Sequence, residues 1–260
     1  MNSSSPLMPV LFVGHGSPMN AVTDNGYTRA LRKLGGELPR PRAIMVVSAH
    51  WLAKSPVVNC AKNPEQIYDF FGFPPELYAV KYPCPGAPDE AQFVSRTAKY
   101  MVTCTPEWGI DHASWAVLVH LFPDADVPVF EMGFDPGMDP RSHYELGRRL
   151  TALRRNGILV IGSGNMVHNL NMMEYDMEAE PHDWAVDIDE KLKSLILAGD
   201  HRALVEYKSL GRNMALAAPT SDHYIPMLYA LSLREETDRV EFFHEGIQNG
   251  TVSMRGFIIG

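Results

Sequence analysis

The chain has 260 residues, of which 45% are hydrophobic and 21% are charged, and this composition is typical of a folded protein rather than a disordered or fibrous one. Its 31 acidic and 23 basic residues give a net charge of -8, which makes nucleic acids and anionic membranes poor candidates as partners. The sequence contains neither a signal-peptide pattern nor a run of roughly 18 apolar residues that could span a membrane, so we expect a soluble, cytoplasmic protein.

The predicted elements at the start of the chain alternate between strand and helix. Residues 9–13 and 43–48 are short apolar runs, which are typical of buried strands. Between them, residues 24–34 have a helical pattern, and we expect this helix to end at Gly35 and Gly36. The order predicts a β-α-β unit.

A second β-α-β unit is predicted near the middle of the chain. Residues 127–132 and 158–161 are strand candidates, and residues 143–155 between them carry leucines at helical spacing. Strands that alternate with helices in this way favour a sheet with helices on both of its faces.

The last third of the chain combines helices with a hairpin. Three segments have helical patterns: residues 184–197, 202–207 and 222–233. Residues 240–245 and 251–259 then alternate around Asn249 and Gly250, a strong hairpin signal. We therefore predict a single α/β domain over residues 1–260, with a mixed central β-sheet, helices on both faces and a C-terminal β-hairpin.

The three cysteines are Cys60, Cys84 and Cys104. Their odd number and the absence of a CxxC motif do not predict a disulfide framework. In the expected reducing compartment, we predict that all three are reduced thiols.

Residues 63–88 form a segment rich in proline, glycine and aromatic side chains, without clear periodicity. The segment is too long to be a simple connection, so it is either a lid or pocket wall, or an ordinary packed excursion. The aromatic residues that could line a cavity in the first case are Tyr68, Phe70, Phe71 and Tyr82.

Four of the ten histidines lie where strands end or a helix begins. His15, His50 and His168 follow apolar strand-like runs, and His223 lies at the start of the last predicted helix. Because the carboxyl ends of parallel strands open into one crevice, these side chains can meet although they are distant in sequence. Imidazole is the commonest protein ligand for zinc, iron and copper, and three such nitrogens around an open position describe a catalytic metal site.

Several familiar sites are excluded. The glycines around His15 do not form a dinucleotide fingerprint, because Met19 occupies the third glycine position, and the glycines at 162 and 164 fail in the same way at Val167. The sequence also contains no Walker lysine, no GxSxG and no HExxH motif.

Five short motifs around the histidines occur in a recognisable order, at residues 14–19 (GHGSPM), 48–51 (SAHW), 108–115 (WGIDHASW), 164–169 (GNMVHN) and 222–226 (DHYIP). In this order they resemble the class III extradiol ring-cleavage dioxygenase family, specifically its 4,5-DOPA dioxygenase branch. The resemblance covers nearly the whole chain, and five ordered motifs are far more specific than any one of them.

The resemblance implies a catechol substrate, dioxygen as co-substrate and one divalent metal ion per chain. By motif, His15, His50 and His223 would bind the metal, whereas His168 and His112 would be the pocket histidines that handle protons and substrate. It further implies that His168 lies close to the metal. Ser17, Tyr68 and Phe71 are the candidate substrate contacts.

The sequence differs from the wider superfamily at one expected metal ligand. Better-known members of the wider superfamily use two histidines and a glutamate, an arrangement that suits Fe(II) and O₂, but the matching third position here is His223. We therefore expect Fe(II) for catalysis and Zn(II) as a plausible metal in the isolated protein.

Two other functions remain open at this point. A zinc hydrolase could use the same histidines to activate a bound water, with His168 as proton shuttle. A non-enzymatic binding protein on the same fold is also possible, although four crevice histidines argue against it. The remaining histidines are assigned to the surface or the core: His120, His143, His182, His201 and His244.

Overall fold

The apolar runs of the sequence form the strands of an α/β fold. A computed structural model describes residues 7–260. Residues 1–6 lie outside the described part. They belong to the predicted domain and to the N-terminal segment in which we expect no targeting signal. The strands are β1 (Val10–Gly14), β2 (Ala43–Leu52), β3 (Val57–Asn59), β4 (Thr103–Thr105), β5 (Val129–Phe134), β6 (Ile158–Gly164), β7 (Val240–His244), β8 (Ile247–Gln248), β9 (Val252–Ser253) and β10 (Gly256–Ile259).

Eight of these strands form one mixed sheet in the order β4-β3-β5-β2-β6-β1-β10-β7. The central strands β5, β2, β6 and β1 are parallel, and antiparallel pairs flank them on both sides. Strands β8 and β9 form a separate antiparallel hairpin around Asn249 and Gly250, which both have the positive φ that this turn requires. The predicted mixed sheet and C-terminal hairpin are confirmed.

Within residues 7–260, ten α-helices connect and cover these strands. They are α1 (Gly26–Glu37), α2 (Pro75–Ala79), α3 (Pro88–Thr97), α4 (His112–Leu121), α5 (Pro140–Arg149), α6 (Ala152–Arg155), α7 (Asp183–Ala198), α8 (His201–Val205), α9 (Arg212–Ala217) and α10 (Ile225–Ser232). Two short 3-10 helices lie at Pro18–Ala21 and Tyr207–Leu210.

The alternation of side chains along the central strands builds two cores, one on each face of the sheet. In β1, Val10 and Phe12 pack with residues of α5, α7 and α10, whereas Leu11 and Val13 pack with residues of α1 and α4. Since both faces are covered, the central strands are apolar at nearly every position, which is why they stand out in the sequence.

Three helix boundaries differ from the predictions. Helix α1 does not end at Gly35 but continues to Glu37. Gly35 is needed inside the helix for close packing, since a Cβ there would lie 2.2 Å from the carbonyl oxygen of Leu121 in α4. The predicted helix 143–155 is interrupted between α5 and α6. Helix α10 begins only at Ile225, so His223 lies in the turn that precedes it.

The prediction that all three cysteines are reduced is wrong for two of them. Cys60 and Cys104 form a disulfide, and only Cys84 is a free, buried thiol. The physical reason is the parallel pairing of β3 with β4, which brings the Cα atoms of Cys60 and Cys104 to 5.8 Å although 44 positions separate them in sequence.

Among residues 7–260, no helix combines the length and the apolar character needed to cross a membrane.

Candidate metal centre

The parallel strands at the centre of the sheet bring three histidines to one edge. His15 directly follows β1, His50 lies near the carboxyl end of β2, and His168 lies four residues beyond β6. Strand β6 pairs in parallel with both β1 and β2, so all three carboxyl ends open at the same edge. The predicted convergence of these histidines is therefore confirmed by the fold.

His223 reaches the same edge through a close backbone contact. Its carbonyl oxygen accepts a hydrogen bond of 2.9 Å from the backbone N–H of Asn165. A Cβ atom on the neighbouring Gly164 would lie 2.2 Å from that oxygen. The glycine at the end of β6 therefore permits the turn before α10 to pack directly against the strand.

Replacing Gly164 with alanine is expected to displace the turn that carries His223. Because the added Cβ would meet backbone rather than a flexible side chain, we expect a loss of about 1–3 kcal/mol in the free energy of unfolding, together with weaker metal binding. Urea denaturation and metal titration measure the two effects. Gly36→Ala is the matched control, because nothing lies within 4 Å of the added Cβ and alanine favours the helix. A Gly164→Ala protein with unchanged stability and metal affinity would contradict this reading of the contact.

Five histidine rings converge at this edge. The ring of His15 centres 5.1 Å from His50, 5.3 Å from His112 and 5.3 Å from His223. His50 and His112 are 4.1 Å apart, and His168 stacks on His223 at 3.5 Å with the rings nearly parallel. The possible ligand atoms of His15, His50 and His112 all lie within 4.8 Å of one another. We name this group of five the histidine cluster.

Hydrogen bonds indicate which nitrogen of each ring carries the proton. The Ser163 hydroxyl donates to the carbonyl oxygen of Ala113 at 2.7 Å, so its oxygen accepts from Nδ1 of His15 at 3.0 Å. Nδ1 of His223 lies 2.7 Å from the Asp222 carboxylate, which is also an acceptor. Both rings therefore hold a proton on Nδ1, and the neutral form of each has its lone pair on Nε2.

The same arrangement holds for the two histidines next to Asp69. Oδ2 of Asp69 lies 2.8 Å from Nδ1 of His112 and 3.3 Å from Nδ1 of His50. A carboxylate can only accept, so Nδ1 of His112 carries a proton, and the nearness of the same oxygen to Nδ1 of His50 favours a proton there as well. With the proton on Nδ1, the neutral form of each of these four rings has its lone pair on Nε2.

Burial keeps several of these rings neutral. Removal from water, reinforced by the neighbouring histidines, lowers the pKa of His15 and His50 well below the ordinary value for imidazole. Burial lowers the pKa of His168 in the same direction, with His223 as the main neighbouring influence. Neutral imidazole is the form that binds a metal ion.

The donor set fits a divalent transition metal. Nε2 of His15 and Nε2 of His50 are 3.1 Å apart, and in the tautomers inferred above neither can donate to the other. With metal–nitrogen bonds of about 2.0–2.1 Å, two neighbouring ligands of one ion stand roughly 3.0–3.4 Å apart. In addition, each of these rings is held through Nδ1 by a serine or carboxylate, as is usual for metal-binding histidines.

A mostly apolar cavity of about 280 Å³ opens onto the histidine cluster. Besides the five histidines, its walls include Ser17, Phe70, Phe73, Leu170, Met173 and Val252. A larger groove of about 580 Å³ lies elsewhere, next to α5 and α8, and its walls are mainly charged. The smaller cavity is the candidate active site because the histidines line it.

Of the three predicted substrate contacts, Ser17 lines the cavity, whereas Tyr68 and Phe71 do not. Ser17 lines the cavity, and its hydroxyl also caps the 3-10 helix Pro18–Ala21. Phe71 lies outside the cavity with 91% of its surface exposed, because the chain turns it towards solvent, so it is not a cavity residue. Tyr68 packs behind the wall against Trp115, and Tyr82 is buried in the core with its hydroxyl donating to a backbone carbonyl.

The segment 63–88 forms one wall of this cavity. It contributes Asp69, Phe70 and Phe73, and the two phenylalanine rings pack edge to face at 5.2 Å. Behind Phe70, the rings of Tyr78 and Trp115 centre within 6 Å of it. Of the alternatives raised by the sequence, the structure agrees with a pocket wall that is anchored by aromatic packing.

A pair of buried carboxyl groups lies behind the site. Asp111 does not line the cavity; it accepts from the hydroxyl of Ser48 at 2.7 Å, and the carboxylate of Glu131 accepts from the backbone N–H of Asp111 at 2.7 Å. Burial, followed by the negative charge of a neighbouring carboxylate, raises the pKa of both groups. The pair supports the start of α4, where His112 lies.

Sequence reasoning missed three parts of the site. It did not identify Asp69 or Asp222 as partners of histidines, or Ser163 as the partner of His15. Asp222 lies at a position that often caps a helix, but no side chain caps α10, and the Asp222 carboxylate contacts Nδ1 of His223 instead. A carboxylate inside an otherwise aromatic stretch, as at position 69, is the one signal that could have pointed to a role in the site. The other five histidines lie outside the cluster, as predicted: His120, His143, His182, His201 and His244.

Comparison with known proteins agrees with the geometry. The family model for the catalytic LigB subunit of aromatic ring-opening dioxygenase matches residues 6–258. The chain is 43% identical over 262 residues to the 4,5-DOPA dioxygenase extradiol of Escherichia coli (strain K12), covering 99% of this chain and 96% of that protein. It is 31% identical over 260 residues to the protein of the same name from Beta vulgaris, covering 97% of each. The crystal structure of an uncharacterized protein from Escherichia coli K12 superposes with a TM-score of 0.85 at 38% identity, covering 97% of this chain and 100% of that one.

Proposed function

The chain belongs to the family of the catalytic LigB subunit of aromatic ring-opening dioxygenase, and on that premise we propose that it is an extradiol dioxygenase that cleaves a DOPA-like catechol with O₂. The single observation that carries the proposal is the histidine cluster, whose unprotonated nitrogens face an apolar cavity. The names of the relatives support the substrate class.

We propose that His15, His50 and His223 hold the metal ion. The inferred proton on Nδ1 of each ring, and the short distance between Nε2 of His15 and Nε2 of His50, support this set. His112 is the alternative third ligand, since the possible ligand atoms of His15, His50 and His112 lie within 4.8 Å of one another. When bound, the metal ion supplies the Lewis acidity and the electron transfer that ring cleavage by O₂ requires.

His168 and His112 flank this ligand set. The ring of His168 stacks on His223 and lines the cavity, where it can accept a proton from a catechol hydroxyl. His112 also lines the cavity, and Asp69 holds its ring through Nδ1. The apolar walls, including Phe70 and Phe73, orient an aromatic ring and exclude water from the reaction.

We propose Fe(II) as the working metal and Zn(II) as a frequent occupant of the purified protein. Zinc binds nitrogen sites more tightly than Fe(II) in the usual affinity order, so it displaces iron during preparation. Three neutral ligands, without a carboxylate, suit either ion.

The test is anaerobic loading of the purified chain with Fe(II) or with Zn(II), followed by addition of a catechol such as DOPA in the presence of O₂. Only the iron form is expected to consume oxygen. With ¹⁸O₂, both labelled atoms should enter the ring-opened product, because a dioxygenase needs no external reductant. If instead the zinc form hydrolyses ester or amide substrates, and the iron form opens no catechol, the chain is a zinc hydrolase.

A further inference from the structure

Asp69 contacts three groups of the site from outside the sheet. It lies on the cavity wall formed by residues 63–88, and 14% of its side chain is exposed. Oδ1 accepts a hydrogen bond of 3.0 Å from the backbone N–H of His112. Oδ2 lies 2.8 Å from Nδ1 of the same residue and 3.3 Å from Nδ1 of His50. One carboxylate thus connects two cluster histidines.

These contacts fix both the ring and its proton. Because Asp69 binds the backbone and the ring of His112 with different oxygens, the imidazole cannot rotate without breaking one of the two hydrogen bonds. Because an ionised carboxylate only accepts, Nδ1 of His112 carries a proton, so in the neutral ring the lone pair lies on Nε2. The longer contact of 3.3 Å with Nδ1 of His50 favours the same tautomer there.

We propose that Asp69 is a positioning residue, which holds His112 and His50 in the Nδ1–H tautomer and thereby connects the cavity wall to the metal centre. The tautomer follows from the contacts alone. The effect on catalysis rests on the proposed function of the site.

An asparagine at this position gives a sharp test. The backbone N–H of His112 still requires an acceptor, so the amide oxygen of Asn would take the place of Oδ1, and the NH₂ group would take the place of Oδ2. The NH₂ group is a donor, so Nδ1 of His112 would have to become the acceptor. Its proton would then move to Nε2, which would block the lone pair that faces the cavity.

The primary measurement is the tautomer of His112 in the zinc-loaded protein. Histidine-selective ¹⁵N labelling distinguishes the two neutral tautomers at about pH 8, where an ordinary imidazole is uncharged. The His112→Gln protein assigns the signal. We expect the Nδ1–H form in the natural chain and the Nε2–H form in Asp69→Asn. A natural chain with the proton on Nε2 would overturn the proposal, whether or not the variant folds.

Kinetics provide the second measurement. In the iron-loaded enzyme, Asp69→Asn should lower kcat by roughly 10²- to 10⁴-fold with little change in KM, as expected when a pocket histidine that handles protons beside His168 loses its free nitrogen. The affinity for the metal should fall by about 10- to 100-fold, through the lost support of His50. In a His112→Gln background, Asp69→Asn should lower kcat much less, because the residue through which it acts is gone.

Glu76→Gln is the matched control, since it neutralises an exposed carboxylate on the same wall and should change none of these values. Fully additive effects of Asp69→Asn and His112→Gln on kcat would overturn the positioning role. If the tautomer changes as expected but neither protein opens a catechol, the positioning role stands and the proposed function fails.

Discussion

Replacing His15, His50 or His223 with alanine is expected to remove the metal ion and abolish activity. Each change deletes one of the three proposed nitrogen ligands and leaves two, too few to hold the ion tightly. The metal content should fall from about one ion per chain to near zero. Elemental analysis and oxygen uptake on the same purified samples measure the two effects.

His201→Gln is the control for this series, because His201 lies outside the cluster and contacts the hydroxyl of Tyr144 instead. Circular dichroism of each variant shows whether the fold is intact. One outcome would contradict the proposed ligand set. If His112→Ala loses the metal while His223→Ala keeps it, the ion is held by His15, His50 and His112.

His168→Gln is expected to separate metal binding from catalysis. Glutamine can still form hydrogen bonds in the cavity, but it cannot exchange a proton near neutral pH. The metal content should therefore stay at the level of the natural chain, while the rate of ring cleavage falls by roughly 10²- to 10⁴-fold. The measurement is kcat at saturating catechol and oxygen, normalised to the bound metal.

His168→Gln can fail in two informative ways. If the variant loses its metal as completely as the alanine variants, His168 is itself a ligand, which its stacking on His223 at 3.5 Å would allow. If it keeps full activity, the proton acceptor lies elsewhere, and His112 is the next candidate.

The strands and the histidines at their ends could be predicted because of how the sheet is buried. Strands β1, β2 and β6 are covered on both faces, so each appears as an uninterrupted apolar run that stops where the crevice begins. His15 and His50 are polar residues at the ends of these apolar runs. The roles of the individual histidines, by contrast, came from the family resemblance, since apolar runs do not distinguish a ligand from a base.

Other parts of the fold could not be predicted from the pattern of apolar and polar residues in the sequence. Helix α4, which begins with His112, is buried on almost every side, so its sequence lacks the alternation of apolar and polar residues that marks a surface helix. Gly35 resembled a helix end, but it serves a contact with α4 that only the tertiary structure creates. Likewise, the contact of Asp69 with His112 joins positions 43 residues apart, and nothing local in the sequence indicates which partner a carboxylate will meet.

The histidine cluster draws its members from both ends of the chain, from position 15 to position 223. Strand β1 must therefore pair with β6, and the turn before α10 must pack on β6, before the cluster exists. These are contacts of long sequence separation, which form late and cooperatively in folding. An ion bound by the cluster binds the native chain and not the unfolded one, so it stabilises the fold by mass action, by about 2.7 kcal/mol when its free concentration is 100 times its dissociation constant. A chelator would then act on this protein as a mild denaturant, and its melting temperature would report how much metal is available.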